Sequence, residues 1–238
     1  MRLALDTSTD RLSVALGGAA ATAAVAHVDG ARRHAASIIP TIDRLLAGGG
    51  VTLADVADVI VADGPGSFTG LRVAASVAKA LAATRGVRVW AAPALLARAV
   101  FTAHDGEVVV SVLDALRGEL YSAAWLVEAH GITEVLPPAA RSPEALRSAL
   151  PERTVPGLLV GEAMPALSAR LGAWAARTLL GQRADARTLL AVMDRPGAAA
   201  RIADPAAWEP TYGRPAEAQA RWEAEHGRAL SHPPGAGG

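Results

Sequence analysis

The chain contains no cysteine, which excludes disulfides, thiolate nucleophiles and Cys-ligated zinc or iron. Lysine is nearly as scarce: Lys79 is the only one, so arginine carries almost all the positive charge. Net charge is missing as well. With 23 basic and 23 acidic residues the formal charge is zero, which removes any general electrostatic pull toward nucleic acid. No run of about 18 apolar residues is available to cross a bilayer. The opening MRLALDTSTD meets Asp6 before a signal core could form, so a cytoplasmic protein that does not engage a membrane is predicted. The six histidines (27, 34, 104, 130, 226 and 232) show neither HExxH nor HxxxH spacing, and no GxSxG elbow occurs. The pattern therefore predicts no metal site, with His34 read as a surface or capping residue, and leaves a Ser/His/Asp triad open because its members would meet only in space.

What is present is a chain of 238 residues, 51% hydrophobic and long enough for a sizeable core. Short alternating runs at 3–6, 11–16 and 21–28 predict a three-stranded meander, followed by a helix over 34–47 that contains Pro40. The run DVIVAD (58–63), a helix over 68–84 and VRVWA (87–91) predict a βαβ unit with parallel strands, and Pro93 opens another helix. The order then recurs: strands over 107–114, 118–127 and 131–136, a capped helix over 142–150, a buried strand over 156–161 and a helix over 165–180, then a short helix after 185. Two βββαβα units laid end to end predict an α/β chain of duplicated RNase H-like fold, the architecture of actin, sugar kinases and Hsp70 ATPases. The expected divisions are 1–104, 105–222 and a Pro/Gly-rich tail, 223–238, read as disordered.

The segment ADGPGSFTGLR (62–72) looks at first like a phosphate loop. It does not fit GxxxxGK[ST], because Leu71 and Arg72 follow Gly70, nor GxGxxG, because the third glycine comes one residue late. Lys79 lies about 18 Å along the helix from Ser67 at about 1.5 Å per residue, too far to grip a phosphate in the loop. Gly64, Pro65, Gly66, Ser67, Phe68, Thr69, Gly70 and Arg72 are therefore read as a structural loop rather than a catalytic phosphate site, with Ser67, Thr69 or Arg72 the residues placed for any anion contact.

The helix after the loop carries one narrow polar stripe, Arg72, Ser76 and Lys79. Gly70, Ala74, Ala78 and Ala82 recur every four residues as a smooth flank open to close helix approach, while Val73, Val77, Ala80 and Leu81 are expected to pack on the sheet. A helix so apolar is covered on two sides. The second cover is either another helix of the same chain or a partner protein.

Asp6 and Asp114 end the first strand of each unit, the places that carry catalytic carboxylates in ATPases of this architecture. Thr7, Ser8 and Thr9 follow Asp6, where ST- and Asx-turns explain them as well as an anion does. The turn after Asp114 reads Ala115, Leu116, Arg117 where glycines are needed for backbone to reach phosphates, and the later adenosine loop keeps only Gly161. The cleft is read as vestigial. The alternative is a small-molecule kinase using Asp6 and Asp114.

The stretches LALDTSTDRLSVAL, HAASIIPTIDRLLAGGGVTLADVADVIVADGPGSFTGLRVAASVAKALA and LDALRGELYSA, with PTYGRPAEAQARWE near the C-terminus, together resemble the TsaB (YeaZ) family. That resemblance implies a non-catalytic subunit of the machinery that makes threonylcarbamoyladenosine (t6A) in tRNA. It implies pairing with TsaD, which carries the transferase site, and work with TsaE. ATP and a metal ion are expected in those partners and no cofactor in this chain. It further implies tRNA contact only within the complex and a homodimer when the chain is alone. Pairing by the first two helices would place the interface on Ile38, Ile39, Ile42, Leu45 and Leu46 together with Gly70, Ala74, Ala78 and Ala82, and the loop before the second helix would set its start and angle, with Phe68 as an anchor. Two departures stand out: Gly213 occupies the place where the family commonly has a leucine, and the entry to the first helix, Arg32-Arg33-His34, is more basic than usual.

Overall fold

A computed structural model describes residues 1–18, 24–30, 33–115, 118–151, 154–162, 169–171 and 174–213. The first meander is β1 (Arg2–Asp6), β2 (Arg11–Gly17) and β3 (Ala24–Asp29), followed by α1 (His34–Gly48), β4 (Asp58–Ala62), α2 (Phe68–Arg85), β5 (Arg88–Ala92) and α3 (Ala94–Thr102). The second is β6 (Glu107–Asp114), β7 (Leu120–Glu128) and β8 (Gly131–Arg141), followed by α4 (Pro143–Ala149), β9 (Leu158–Glu162), β10 (Arg177–Leu180), α5 (Arg187–Met193) and β11 (Ala200–Arg201). The strands form two sheets of matching order, β5-β4-β1-β2-β3 and β10-β9-β6-β7-β8, with β11 added to the outer edge of β5 in the first. In each sheet the meander is antiparallel and the two later strands run parallel to its first. The fold is the duplicated RNase H-like one.

Period-two alternation assigns the faces. In β1 and β4, Leu3, Leu5, Val59 and Val61 point to a core under α1 and α2, while Ala4, Ile60 and Ala62 point the other way. In β6, Val109 and Leu113 join that second core, whereas Val110 and Val112 face α4. The middle core is shared: residues of both sheets meet there around α3 and α5. The two helices are exchanged, since α3 follows the first sheet's strands yet packs on β6, β7 and β9, and α5 follows the second sheet's strands yet packs on β1, β2 and β4. The buried Ser13 hydroxyl of β2 seats α5 by accepting from the Ala186 amide at 2.8 Å.

Three expectations are corrected. Residues 177–180, read as the end of a helix, form β10, because parallel pairing with β9 satisfies their backbone groups. Strand β8 runs on to Arg141 through Pro137 and Pro138, which a strand tolerates at a sheet edge where no ladder donor is needed. His34 is buried, its Nε2 3.1 Å from the Asp10 carbonyl oxygen, rather than on the surface. Pro40 lies inside α1, beyond the first turn. Arg32, Leu116, Arg117, Arg214 and the tail 223–238 lie outside the described residues.

Candidate functional site

The loop between β4 and α2 is held by backbone that approaches it too closely for any side chain. A Cβ on Gly66 would strike the Ser8 carbonyl, one on Gly70 the Thr7 carbonyl, and one on Gly64, where φ is +91°, the Thr211 carbonyl. The glycines are thus used for packing against the turn after β1 and against the C-terminal segment. Hydrogen bonds complete the seam: the Ser67 amide donates to Ser8 O at 2.8 Å and the Thr7 hydroxyl to Gly70 O at 2.7 Å. Ser67 also caps α2 by accepting from the Gly70 amide at 3.2 Å. Pro65 is buried in this seam, while Thr69 is exposed.

The same turn uses up the groups expected in a nucleotide cleft. One oxygen of the buried Asp6 accepts from the Ser8 amide (2.9 Å) and hydroxyl (2.6 Å). The other faces the Arg98 guanidinium at 3.9 Å, and Arg98 on α3 is itself only 4% exposed. Thr9 accepts from the Arg11 amide at 3.3 Å. Asp114, half-buried, ends β6 as anticipated. At the end of β9, Glu162 is pushed up from its ordinary pKa, chiefly by burial. Arg183 lies across the mouth, 2.7 Å from Asp10, 2.9 Å from Asp29 and 3.8 Å from Glu162. A catalytic carboxylate must offer an oxygen to a metal or substrate, whereas both Asp6 oxygens are turned toward the chain's own groups. Among the described residues, no three His, Asp or Glu side chains converge as metal ligands.

Helix α2 is rolled differently from the expected orientation. Gly70, Ala74 and Ala78 are buried, Ala78 at 0% exposure, and Ala82 is half-buried; they pack on the chain's own core with Leu71 and Ala75. The smooth flank is therefore sealed from within. Small side chains let α2 lie close over the first sheet, and the larger Val73, Val77 and Leu81, expected beneath it, sit half-buried on the side of the helix. On α1, Ile38, Ile42 and Leu46 are likewise core residues, Leu45 is half-buried and Ile39 stands 51% exposed. On the two helices Ile39 and Ala80 are exposed, while Leu45, Val73, Val77 and Leu81 are half-buried against the core with part of each side chain still open; of these six the sequence reading had assigned only Ile39 and Leu45 to an interface.

Two residues of the polar stripe of α2, Arg72 and Lys79, are engaged by the chain itself. The C-terminal segment lies along the stripe: Lys79 Nζ is 3.0 Å from Glu209, and Arg72 Nε donates to the Tyr212 hydroxyl at 3.1 Å. Phe68 stacks on Tyr212 with ring centroids 4.4 Å apart, and the Arg72 guanidinium covers Phe68 at 4.3 Å. Sequence reasoning missed these partners, because no local spacing links positions 72 and 79 to 209 and 212.

A family model described as "TsaD: tRNA N6-adenosine threonylcarbamoyltransferase" matches residues 25–153, more than half of the chain. The chain belongs to this family, among the TsaB (YeaZ) proteins. It is 40% identical over 123 residues to a Haemophilus influenzae protein named tRNA threonylcarbamoyladenosine biosynthesis protein TsaB, the match covering 50% of this chain and 51% of the relative. A Bacillus subtilis protein of the same name is 26% identical over 92% of this chain and 96% of its own length. The chain thus spans about half of the first relative and nearly all of the second. Among solved structures, a Pseudomonas aeruginosa protein described as similar to peptidase YeaZ superposes with a TM-score of 0.73 at 26% identity, covering 90% of this chain and 99% of that one. A second, YeaZ from the same organism, gives 0.66 at 26% identity over 81% and 89%. The family resemblance read from GPGSFTGLR and its neighbours is borne out.

Proposed function

We propose that the chain is a non-catalytic subunit in the biosynthesis of tRNA threonylcarbamoyladenosine, acting by binding and supporting TsaD. Its TsaB relatives carry the name of that pathway, and Asp6, turned toward Ser8 and Arg98, supports a role without catalysis. One observation carries the binding reading. Two neighbouring helices leave apolar side chains open to solvent, Ile39 and Ala80 exposed and Val73, Val77 and Leu81 incompletely covered. Such a surface gains free energy when a second helical pair buries it, at about 25 cal/mol per Å² of apolar area. In this reading TsaD supplies that pair and TsaE joins the complex. A second copy of the chain takes the place of TsaD when it is absent, and tRNA is met only in the complex. ATP and metal are held by the partners, and the protein works in the cytoplasm.

The test is co-expression with the cognate TsaD, reading complex mass and t6A formation. Val77→Arg or Ala80→Arg is expected to abolish pairing; the exposed Ala80 should leave the melting temperature nearly unchanged, whereas the half-buried Val77 should lower it modestly. Ala78→Trp, which would force an indole into a filled core, is expected to lower stability instead. Full complex formation by Val77→Arg sinks the assignment of this face. Tight binding of Mg-ATP by the isolated chain in calorimetry would favour the kinase alternative.

A further inference from the structure

The segment from Asp204 to Gly213 touches α2 and its preceding loop at three levels. At the loop, the Thr211 amide donates to Asp63 O at 3.0 Å and its hydroxyl to Asp63 Oδ2 at 3.2 Å, and the Thr211 carbonyl lies where a Gly64 side chain would be. In the first turn of α2, the Tyr212 ring packs on Phe68 and its hydroxyl accepts from Arg72. Two turns further on, Lys79 Nζ reaches both Ala206 O (3.2 Å) and Glu209 Oε1 (3.0 Å). Glu209 joins the upper two levels, because its other oxygen accepts from the Tyr212 hydroxyl at 2.8 Å. Gly213, at φ +74°, closes the segment against Pro65 and the Tyr121 ring, where a leucine would have no room.

We infer that Asp204–Gly213 is a positioning strap: it fixes the start and roll of α2, and so holds Val73, Val77 and Leu81 in the orientation that a partner helix meets, with Tyr212 as its central residue. Levels at residues 72 and 79 are about 10 Å apart along a helix axis. Close approach to the first sheet sets which face of α2 points inward, and two anchors at that separation on one flank limit the rotation that remains, which a single contact would not. The contacts themselves are partly exposed polar pairs, each weak alone, so the strap can be loosened by one substitution without emptying the core. This inference rests on the proposed pairing surface, yet it has a readout independent of it.

The experiment uses the full chain with Tyr212→Ala, Tyr212→Phe and Glu209→Gln, measuring amide exchange in α2 and affinity for cognate TsaD. Tyr212→Ala is expected to speed exchange at Leu71 to Val73, leave exchange in the second sheet unchanged, and weaken TsaD binding about tenfold, within the usual range of coupling between sites. Tyr212→Phe, which keeps the ring, is expected to restore most of that affinity. Coupling is reciprocal, so TsaD should slow exchange at residues 206 to 213 by a comparable factor. Faster exchange with unchanged affinity overturns the positioning role, as does unchanged exchange in α2. Should Tyr212→Ala fail to fold, Glu209→Gln gives the same two readings. If the unaltered chain does not bind TsaD, the proposed function falls, and the exchange arm alone then decides whether the strap sets α2.

Discussion

At the scale of single residues, the loop that resembles a phosphate cradle is a site of backbone contact. Gly66 and Gly70 each face a carbonyl oxygen of the turn after β1, so a methyl group at either place must push two chain segments apart. Gly70→Ala is expected to cost about 2–3 kcal/mol in denaturant unfolding, the upper range for overpacking; a cost under about 0.5 kcal/mol would mean that the seam gives easily. The sequence showed that the motif was wrong for phosphate. It did not show what the glycines touch, since Ser8 and Thr211 reach them only through the fold. Asp58 poses a second residue-level test. Burial pushes its pKa up, but a two-pronged bond from Arg88 (2.7 and 2.8 Å) and one from Trp90 Nε1 (2.9 Å) outweigh that and leave it below the usual value. A carboxylate depressed in the fold stabilises above its unfolded pKa and loses that contribution as pH falls through the folded one. Asp58→Asn should therefore cost about 1–2 kcal/mol at pH 7. The gap between the two proteins should narrow below about pH 4, as urea titrations at several pH values would show.

At the scale of elements, α1 to α4, the first meander and the parallel β4–β5 pair were legible from periodicity and caps, to within a few residues at their ends. The roll of α2 was not. Its Gly/Ala series and its Val/Leu series are both spaced by four, and spacing alone does not say which faces inward. Closeness to the sheet decides it. The turn after β1 sits so near the start of α2 that Gly70 has no space for a side chain, and the same approach leaves room only for Ala74 and Ala78 farther along. The contrast between Ala80→Arg and Ala78→Trp, two positions apart with opposite expected phenotypes, reads this roll directly. β10 escaped prediction for a related reason: four residues at a sheet edge carry little pattern of their own, and their strand state is imposed by β9.

For the whole molecule, the duplicated order of elements was visible, but not the exchange of α3 and α5. Nothing in either helix's sequence says which sheet it covers; both are simply apolar. The shared middle core predicts that the two sheets unfold together. Leu95, fully buried on α3 within that core, tests it: Leu95→Ala is expected to cost about 2–5 kcal/mol and to lower one calorimetric transition without splitting it. A second resolved transition would show sheets that melt separately.

The exchange also orders events during synthesis. A chain emerging from the ribosome can pair β1 to β5 early, but the inner face of that first sheet, with Ala4, Ile60 and Ala62, lacks its cover until α5 has been made. The nascent first sheet should therefore wait, apolar and exposed, from the completion of β5 until Arg187–Met193 has been made, and chaperone demand should be concentrated in that interval.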